Sequence, residues 1–210
     1  MDLANDKFDP GRFGLITGSK ASILFPKRSA EVGQRQYAKE LATQLFFKYY
    51  DEVSTWQTEH GNFNEHEAFE YYQKHFDSGI EKGFFIANGF HGGTSDALCD
   101  KHGVDFKCPT SLQKWLDYLT DGIDEQQYYQ AQMYMHLFDK EYWEVCAYLT
   151  ETLKMGEMGL TYPVPYDKRM IVIKVEKEQG WVEKLHSVTP KIITMRDHFY
   201  SLLEKQFNTK

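Results

Sequence analysis

The sequence predicts a mixed α/β domain in which helices flank a central mixed β-sheet, and three observations lead to that prediction. Segments with the apolar spacing of helices alternate along the chain with short β-branched or period-two segments. The chain has 210 residues, of which 41% are hydrophobic and 16% aromatic, enough to build a packed core. No internal repeat, low-complexity tract or Gly/Ser linker divides it, so we expect residues 1–210 to form a single domain.

The first third of the chain predicts two helices. Over residues 29–56, good helix formers surround four apolar residues that step by four along one face: Tyr37, Leu41, Leu45 and Tyr49. A second helix is predicted over residues 63–76, beginning near Asn62 and with Glu65 in its first turn.

The rest of the chain predicts strands interrupted by one helix and closed by another. Residues 83–87, 97–99 and 104–107 are three short strand-like segments, which we expect to pair as a meander, the last two across the turn DKHG. A helix over 125–138, strands over 142–149 and 170–175, and an amphipathic helix from Gly180 onward follow.

Composition restricts the cellular setting. The three cysteines, Cys99, Cys108 and Cys146, form neither an even disulfide framework nor a CxxC pair, which favours a reducing compartment such as the cytosol. No stretch approaches the ~18–20 apolar residues of a membrane span, so we expect no membrane association. The net charge of −7 argues against non-specific wrapping of nucleic acid, although a locally basic channel remains compatible with it.

The segment GGTSDALCDKHGVDFKCP, residues 92–109, places charged residues where a hairpin would normally bury apolar ones. If its two strands pair, Asp96 and Asp105 converge on one divalent cation, and Lys107 points to the same face as Asp105. A cation and a lysine together suit in-line attack of water on a phosphodiester. The alternative is that Asp96 caps a turn while Asp105 and Lys107 form a surface ion pair.

Five motifs in order resemble the phage lambda exonuclease, or YqaJ-type viral recombinase, family of the PD-(D/E)XK nuclease fold. They are RFGLITGS at 12–19, HGNFNEHEA at 60–68, GGTSDAL at 92–98, VDFKCP at 104–109 and YYQAQMYMHLF at 128–138. The resemblance implies that Asp96, Asp105 and Lys107 are the nuclease triad, with Ser95 where the family usually has proline.

The resemblance also implies further residues around the triad. Glu65, in the pattern G-x-x-x-E, would join Asp96, Asp105 and Phe106 in holding the metal, Mg²⁺ or its substitute Mn²⁺; Glu67 fits this role less well. The alternative for Glu65 is a capping glutamate three residues after Asn62.

A glutamine on the helix after the triad helps to place the nucleophilic water or the lysine in this family. Gln132 aligns better with the lambda-type pattern and is the expected catalytic glutamine. Gln130, together with Tyr134, fits the Q-x-x-x-Y signature of related RecB-type nucleases, so both remain candidates, as does a solvated helix face.

Recognition of a DNA end requires a pocket for a terminal phosphate. Arg12, Ser19 and Thr94 match the positions at which the lambda-type enzyme contacts the 5′-phosphate, with Thr94 replacing serine. A surface arginine and a helix-capping serine are the alternative. Relatives carry another arginine after the triad, whereas this chain offers only Lys114 there.

The function implied by the resemblance is a Mg²⁺-dependent 5′→3′ exonuclease that digests one strand of linear double-stranded DNA to mononucleotides. The 3′ overhangs would serve recombination by strand annealing, in a bacterial host cytoplasm. A ring-shaped homotrimer threaded by DNA, working beside a single-strand annealing protein, is also implied. The alternatives are an endonuclease of repair or restriction type and a non-catalytic recombination scaffold.

The eight histidines are expected to be structural or solvated.

Overall fold

The structure is a computed structural model, which describes residues 10–25, 30–50, 55–155 and 158–208. Within these ranges the helices are α1 (Ala30–Phe47), α2 (Trp56–His75), α3 (Leu112–Thr120), α4 (Glu125–Leu137) and α5 (Trp181–Asn208). The strands are β1 (Ile16–Thr17), β2 (Glu81–Lys82), β3 (Phe85–Asn88), β4 (His91–Thr94), β5 (Ala97–Leu98), β6 (His102–Lys107), β7 (Tyr142–Tyr148), β8 (Thr152–Met155), β9 (Met158–Thr161) and β10 (Met170–Glu176). None of these helices is long and apolar enough to cross a membrane.

The principal sheet has five strands in the order β10-β7-β6-β5-β2 and is mixed. Strands β6 and β7 are parallel, with Asp105 beside Val145, while the other neighbours are antiparallel. A second sheet has the order β1-β4-β3, and β8 pairs with β9. The mixed sheet follows from the βαβ connection between β6 and β7, which helices α3 and α4 provide.

Helices cover both faces of the principal sheet. On one face, Trp143 and Val145 of β7 pack with residues of α4 and α5. On the other face, Cys146 and Tyr148 pack with residues of α2. The alternation of these β7 residues is the two-residue period of a strand buried on both faces. The predicted fold class, a mixed central sheet flanked by helices, is therefore confirmed.

The first two predicted helices are present, but their boundary was predicted wrongly. Helix α1 ends at Phe47, and Lys48 adopts a left-handed backbone with φ of 52°; residues 51–54 lie outside the described residues. Helix α2 begins at Trp56, where the Thr55 side chain accepts a hydrogen bond from the Thr58 amide at 3.2 Å. Asn62 is thus inside the helix and Glu65 lies in its third turn, which removes the capping explanation for Glu65.

The predicted hairpin is confirmed, but the three-stranded meander is wrong. β5 pairs with β6 across the DKHG turn, whereas β3 pairs with β4 in the other sheet. The chain passes from one sheet to the other at Ser95 and Asp96, and β5 pairs with β2 on its other edge. Helix α3 was not predicted; it is capped by Ser111, whose side chain accepts from the Lys114 amide at 3.1 Å.

Candidate active site

A cleft of about 450 Å³ lies beside the open end of the β5–β6 hairpin, opposite its turn. Its walls come from the N-terminal segment, α2, β4, β6, α3 and α4. It brings together most of the site residues predicted from the sequence: Arg12, Ser19, Glu65, Thr94, Asp96, Asp105, Phe106, Lys107 and Gln130. These residues span more than half of the chain in sequence, so the fold and not sequence proximity assembles them.

The hairpin register determines how the two aspartates meet. Ala97 lies opposite Val104 and Leu98 opposite Gly103, so extending the register by one residue sets Asp96 opposite Asp105. Asp96 Oδ2 accepts a hydrogen bond from the Phe106 amide at 2.8 Å. Asp105 is buried, with 3% of its surface exposed. The two carboxylates therefore face one cleft from adjacent strands.

Lys107 lies on the same side of β6 as Asp105, as the strand period predicts. Its ammonium group forms an ion pair with Asp105 Oδ2. Burial opposes the charged form of Lys107, but the carboxylates of Asp105 and Asp96 outweigh burial and raise the pKa of the lysine above its usual value. Lys107 is therefore a cation, and it is suited to donate hydrogen bonds.

The two candidate glutamines point in different directions. Gln130 Nε2 donates a hydrogen bond to Asp105 Oδ1 at 3.1 Å, and Gln130 lines the cleft. Gln132 is fully buried elsewhere: its Nε2 donates to the Glu176 carbonyl at 2.7 Å and its Oε1 accepts from the Glu178 amide at 2.9 Å. The placement of Gln132 does not agree with the catalytic position predicted for it, because two residues along a helix differ by about 200° in direction.

The two candidate glutamates of α2, Glu65 and Glu67, also lie in different surroundings. Glu65 lines the cleft, whereas Glu67 accepts a hydrogen bond from the Tyr148 hydroxyl at 2.7 Å and is not among the lining residues. Among the described residues, the ligand atoms of Asp77, Cys99 and His102, outside the cleft, all lie within 4.8 Å of one another. The carboxylate oxygens of Glu65, Asp96 and Asp105 do not meet that spacing. The three carboxylates nevertheless line the same cleft, where their oxygens can act as ligands of a hard cation.

The residues predicted to contact a terminal phosphate line the same cleft. Strand β1 pairs in parallel with β4, which brings the segment around Ser19 next to Thr94. Ser19 Oγ lies 3.4 Å from Thr17 Oγ1. The Arg12 guanidinium lies 5.1 Å from the centroid of the Tyr50 ring, a distance typical of a cation–π contact that restrains the side chain.

Sequence reasoning missed two features of the cleft. Helix α3 supplies both Lys114 and Tyr118, and the Tyr118 hydroxyl accepts a hydrogen bond from Gln127 at 2.6 Å. The signal for this helix was the capping serine at position 111. The second feature is the packing of Tyr134, which the sequence indicated only as part of the Q-x-x-x-Y pattern. Its ring lies so close to Gly18 and Gly93 that an added Cβ would come within 2.1 and 2.5 Å of it.

Two buried histidines, His91 and His102, lie outside the cleft. His91 Nε2 lies 2.8 Å from the Thr189 hydroxyl, and His102 Nε2 lies 2.9 Å from the Tyr72 hydroxyl. Both histidines are buried. Neither lines the cleft.

Comparison with known proteins gives no match in sequence and clear matches in structure. No family model and no curated protein matches the sequence. The crystal structure of an alkaline exonuclease, LHK-Exo, from Laribacter hongkongensis matches with a TM-score of 0.75 at 15% identity, covering 93% of this chain and 94% of that one. LHK-Exo in complex with dAMP matches with a TM-score of 0.70, over 94% of this chain and 95% of that one, also at 15% identity.

A phage-related exonuclease from Haemophilus somnus 129PT matches with a TM-score of 0.69 at 17% identity, covering 91% of this chain and 96% of that one. The chain has the fold of these exonucleases. The fold that the five sequence motifs led us to expect is therefore confirmed.

Proposed function

We propose that this protein is a Mg²⁺-dependent nuclease that digests one strand of linear double-stranded DNA in the 5′→3′ direction to mononucleotides, leaving 3′ overhangs. The observation that carries the proposal is the single cleft that holds three carboxylates, Lys107 and Gln130 beside a separate set of phosphate-binding side chains. Carboxylates and a lysine cut a phosphodiester; phosphate donors nearby select where the cut falls. Both sets in one cleft favour cleavage close to a DNA end.

The residues present suit a hard divalent cation. Mg²⁺ and Mn²⁺ take oxygen ligands, and Glu65, Asp96 and Asp105 supply carboxylate oxygens. Phe106, which follows Asp105 on β6, lines the same cleft. When bound, the cation supplies Lewis-acid polarisation of the phosphate and a lower pKa for its water. The chain holds the carboxylates ready: the Phe106 amide fixes Asp96, and Gln130 fixes Asp105.

Lys107 and Gln130 position the reacting groups. Lys107 is held as a cation beside Asp105, so it can donate a hydrogen bond that orients the attacking water and stabilises negative charge that develops on the phosphate. Gln130 donates to the same carboxylate from the opposite wall, through α4. In this proposal Gln130, and not Gln132, is the glutamine of the site.

The side chains suited to bind a terminal phosphate would determine the direction of digestion. Arg12 offers a planar fork of donors for a terminal phosphate, and Ser19 and Thr94 offer hydroxyl groups. A 5′-phosphate bound there would hold the next phosphodiester next to the three carboxylates. Lys114 lines the same cleft and adds a second positive charge.

The proposal extends to assembly and setting. A homotrimeric ring threaded by DNA would stay on its track with few phosphate contacts, which reconciles a net charge of −7 with a DNA substrate. A single-strand annealing protein that takes up the 3′ strand, in a bacterial cytoplasm, completes the recombination role. Light scattering at working concentration measures the assembly: a mass three times that of the chain supports the ring, and a stable monomer refutes it.

The activity is tested with end-labelled linear duplex and with covalently closed circular duplex, each with and without Mg²⁺. We expect mononucleotides from the linear DNA only, and only with the cation; Mn²⁺ is expected to substitute. Asp105→Asn and Lys107→Ala should each lower the rate at least about a hundredfold, since they remove groups that act on the transition state.

The matched control for these variants is Lys101→Ala, an exposed lysine on the same hairpin whose partner Glu141 lies 4.0 Å away, outside the cleft. Its rate should stay near that of the unchanged protein. Cutting of the closed circle would replace the exonuclease by an endonuclease. Absence of cutting with intact DNA binding would favour a non-catalytic scaffold.

A further inference from the structure

A second cluster of metal-binding side chains lies outside the cleft. The ligand atoms of Asp77, Cys99 and His102 all lie within 4.8 Å of one another, and Cys99 and His102 are buried. Among the residues the structure describes, this is the group of three His, Cys, Asp or Glu side chains that meets this spacing. None of its members lines the cleft with the nuclease residues.

Backbone contacts bring the three residues together from two elements. Cys99 and His102 face each other across the β5–β6 turn, where the Cys99 amide donates to the His102 carbonyl at 2.8 Å. Asp77 follows the end of α2, and its amide donates to the Tyr72 carbonyl at 3.3 Å. Its Oδ1 accepts from the Gly79 amide at 2.8 Å, which fixes the carboxylate. The cluster therefore rests on a hydrogen-bonded turn at each side.

The hydrogen bonds of His102 leave the imidazole in a form suited to a metal. The Tyr72 hydroxyl donates its single hydrogen to Glu144 Oε2 at 2.7 Å, so the contact of 2.9 Å between that hydroxyl and His102 Nε2 has the histidine as donor. Nε2 then carries the proton, which leaves Nδ1 as the unprotonated ring nitrogen that can act as a ligand. A metal-binding histidine commonly donates its other ring N–H to a carboxylate, a backbone carbonyl or a water. Here the acceptor is the Tyr72 hydroxyl, which links the imidazole to the Glu144 carboxylate.

We propose that Asp77, Cys99 and His102 bind a zinc ion, with water as the fourth ligand. Sulfur, imidazole nitrogen and carboxylate oxygen are the donors that zinc takes, and a thiolate ligand selects against Mg²⁺. Asp77 and a Cys99 thiolate together balance the charge of the ion. A cavity of about 630 Å³ adjoins the cluster at Cys99.

The thiol has to lose its proton when the ion binds. Burial, followed by the hydrogen bond to Asp77, raises the pKa of Cys99 to about 12, so the metal-free thiol is neutral. Lys140 Nζ donates to the Cys99 and Asp100 carbonyls, at 2.7 and 3.0 Å.

The role of this ion is structural. It would link the end of α2, the helix that carries Glu65, to the turn that begins β6, the strand that carries Asp105 and Lys107. The two sides of the cleft would then be held at a fixed separation by a cross-link at the far end of the same two elements. The inference does not depend on the proposed nuclease activity, because the cluster and the cleft share no residue.

Cobalt serves as the spectroscopic probe. Co²⁺ is titrated into the full chain after chelator treatment and reduction with a phosphine. We expect one equivalent to produce the near-ultraviolet thiolate-to-cobalt charge-transfer band and the intense visible bands of a tetrahedral site, and Zn²⁺ to displace both. Oxygen ligands in the cleft cannot give the charge-transfer band, so Asp105→Asn should leave it unchanged.

Three variants make the test specific. Cys99→Ser should abolish the charge-transfer band, whereas Cys108→Ser, which changes a thiol in the cleft, should keep it. Asp77→Asn keeps an oxygen for the Gly79 amide and should fold, as circular dichroism would check, but bind Co²⁺ at least about tenfold more weakly because a charged ligand is lost. Absence of the band in the unchanged chain, or its loss with Cys108→Ser instead of Cys99→Ser, overturns the proposal.

Discussion

Replacing Arg12 by alanine tests the assignment of the 5′-phosphate pocket. Arg12 lines the cleft, and its guanidinium is restrained over the Tyr50 ring at 5.1 Å, so the fork of donors is already in place when a phosphate arrives. A hydrogen bond to a charged group contributes about 1.5–3 kcal/mol. Because about 1.4 kcal/mol corresponds to tenfold in rate, a 5′-phosphorylated end should be digested about ten- to a hundredfold faster than a 5′-hydroxyl end.

Arg12→Ala should remove most of that ratio while leaving digestion of the 5′-hydroxyl end nearly unchanged, since that end has no phosphate for the pocket. Arg12→Lys keeps the charge without the fork and should give an intermediate ratio. Thr94→Ala should reduce the ratio only about two- to tenfold, because a neutral hydroxyl contributes about 0.5–1.5 kcal/mol.

The assay compares initial rates on matched duplexes that differ only in the terminal phosphate. Equal rates on both ends in the unchanged protein would eliminate the pocket but not the nuclease site. A ratio that survives Arg12→Ala and disappears with Lys114→Ala would show that Lys114, the other cation of this wall, holds the phosphate, and the argument from the guanidinium fork would be refuted.

Three further predictions concern the site and the stability of the fold. Gly83→Ala should destabilise the protein by about 1–3 kcal/mol and reduce nuclease activity, because a Cβ would lie 2.0 Å from the Ser95 carbonyl oxygen; unchanged urea unfolding would contradict this contact. Gly33→Ala, with nothing within 4 Å of its Cβ, is the matched control and should stabilise α1 by about 0.5–1 kcal/mol, measured in the same unfolding series. Burial, followed by two neighbouring histidines, lowers the pKa of His91 to about 4, so the unfolded chain binds more protons between its ordinary pKa of about 6.5 and that value. Unfolding free energy should therefore fall as the pH falls through this window, and His91→Gln should flatten the dependence; parallel curves for the two proteins would refute it.

The parts of the site that the sequence could predict are those set by local geometry. The two-residue period of a strand put Asp105 and Lys107 on one side, and a turn of defined length put Asp96 opposite Asp105, as the register confirms. Such relations involve residues within a dozen positions. The fold class followed from the same periodicities.

The choice between Gln130 and Gln132 could not be made in this way. The second half of α4 is buried on all sides, with Gln130 and Gln132 at 9% and 0% exposure, so hydrophobic spacing does not distinguish them. What distinguishes them is the end of β10 and the loop after it: the backbone of Glu176 and Glu178 binds both polar atoms of the Gln132 amide, across more than forty residues of sequence. The end of α1 is a similar case, because a left-handed Lys48 terminates a pattern of helix formers that continues beyond it.

The serine at position 95, where the family that the motifs resemble usually has proline, illustrates how the backbone before Asp96 can be restrained by other means. A proline before the first aspartate would restrict the backbone of its own residue and of the one before it. Here the restriction comes from packing: Ser95 is 2% exposed, the Gly83 amide donates to the Asp96 carbonyl at 3.0 Å, and Gly83 lacks the Cβ that would collide with Ser95. The backbone of Asp96 is therefore held from the neighbouring strand and not from its own preceding ring. It follows that Ser95→Pro should be tolerated if the proline ring fits against Gly83. A side chain at position 83, by contrast, should remove the support of the Asp96 backbone whichever residue occupies position 95.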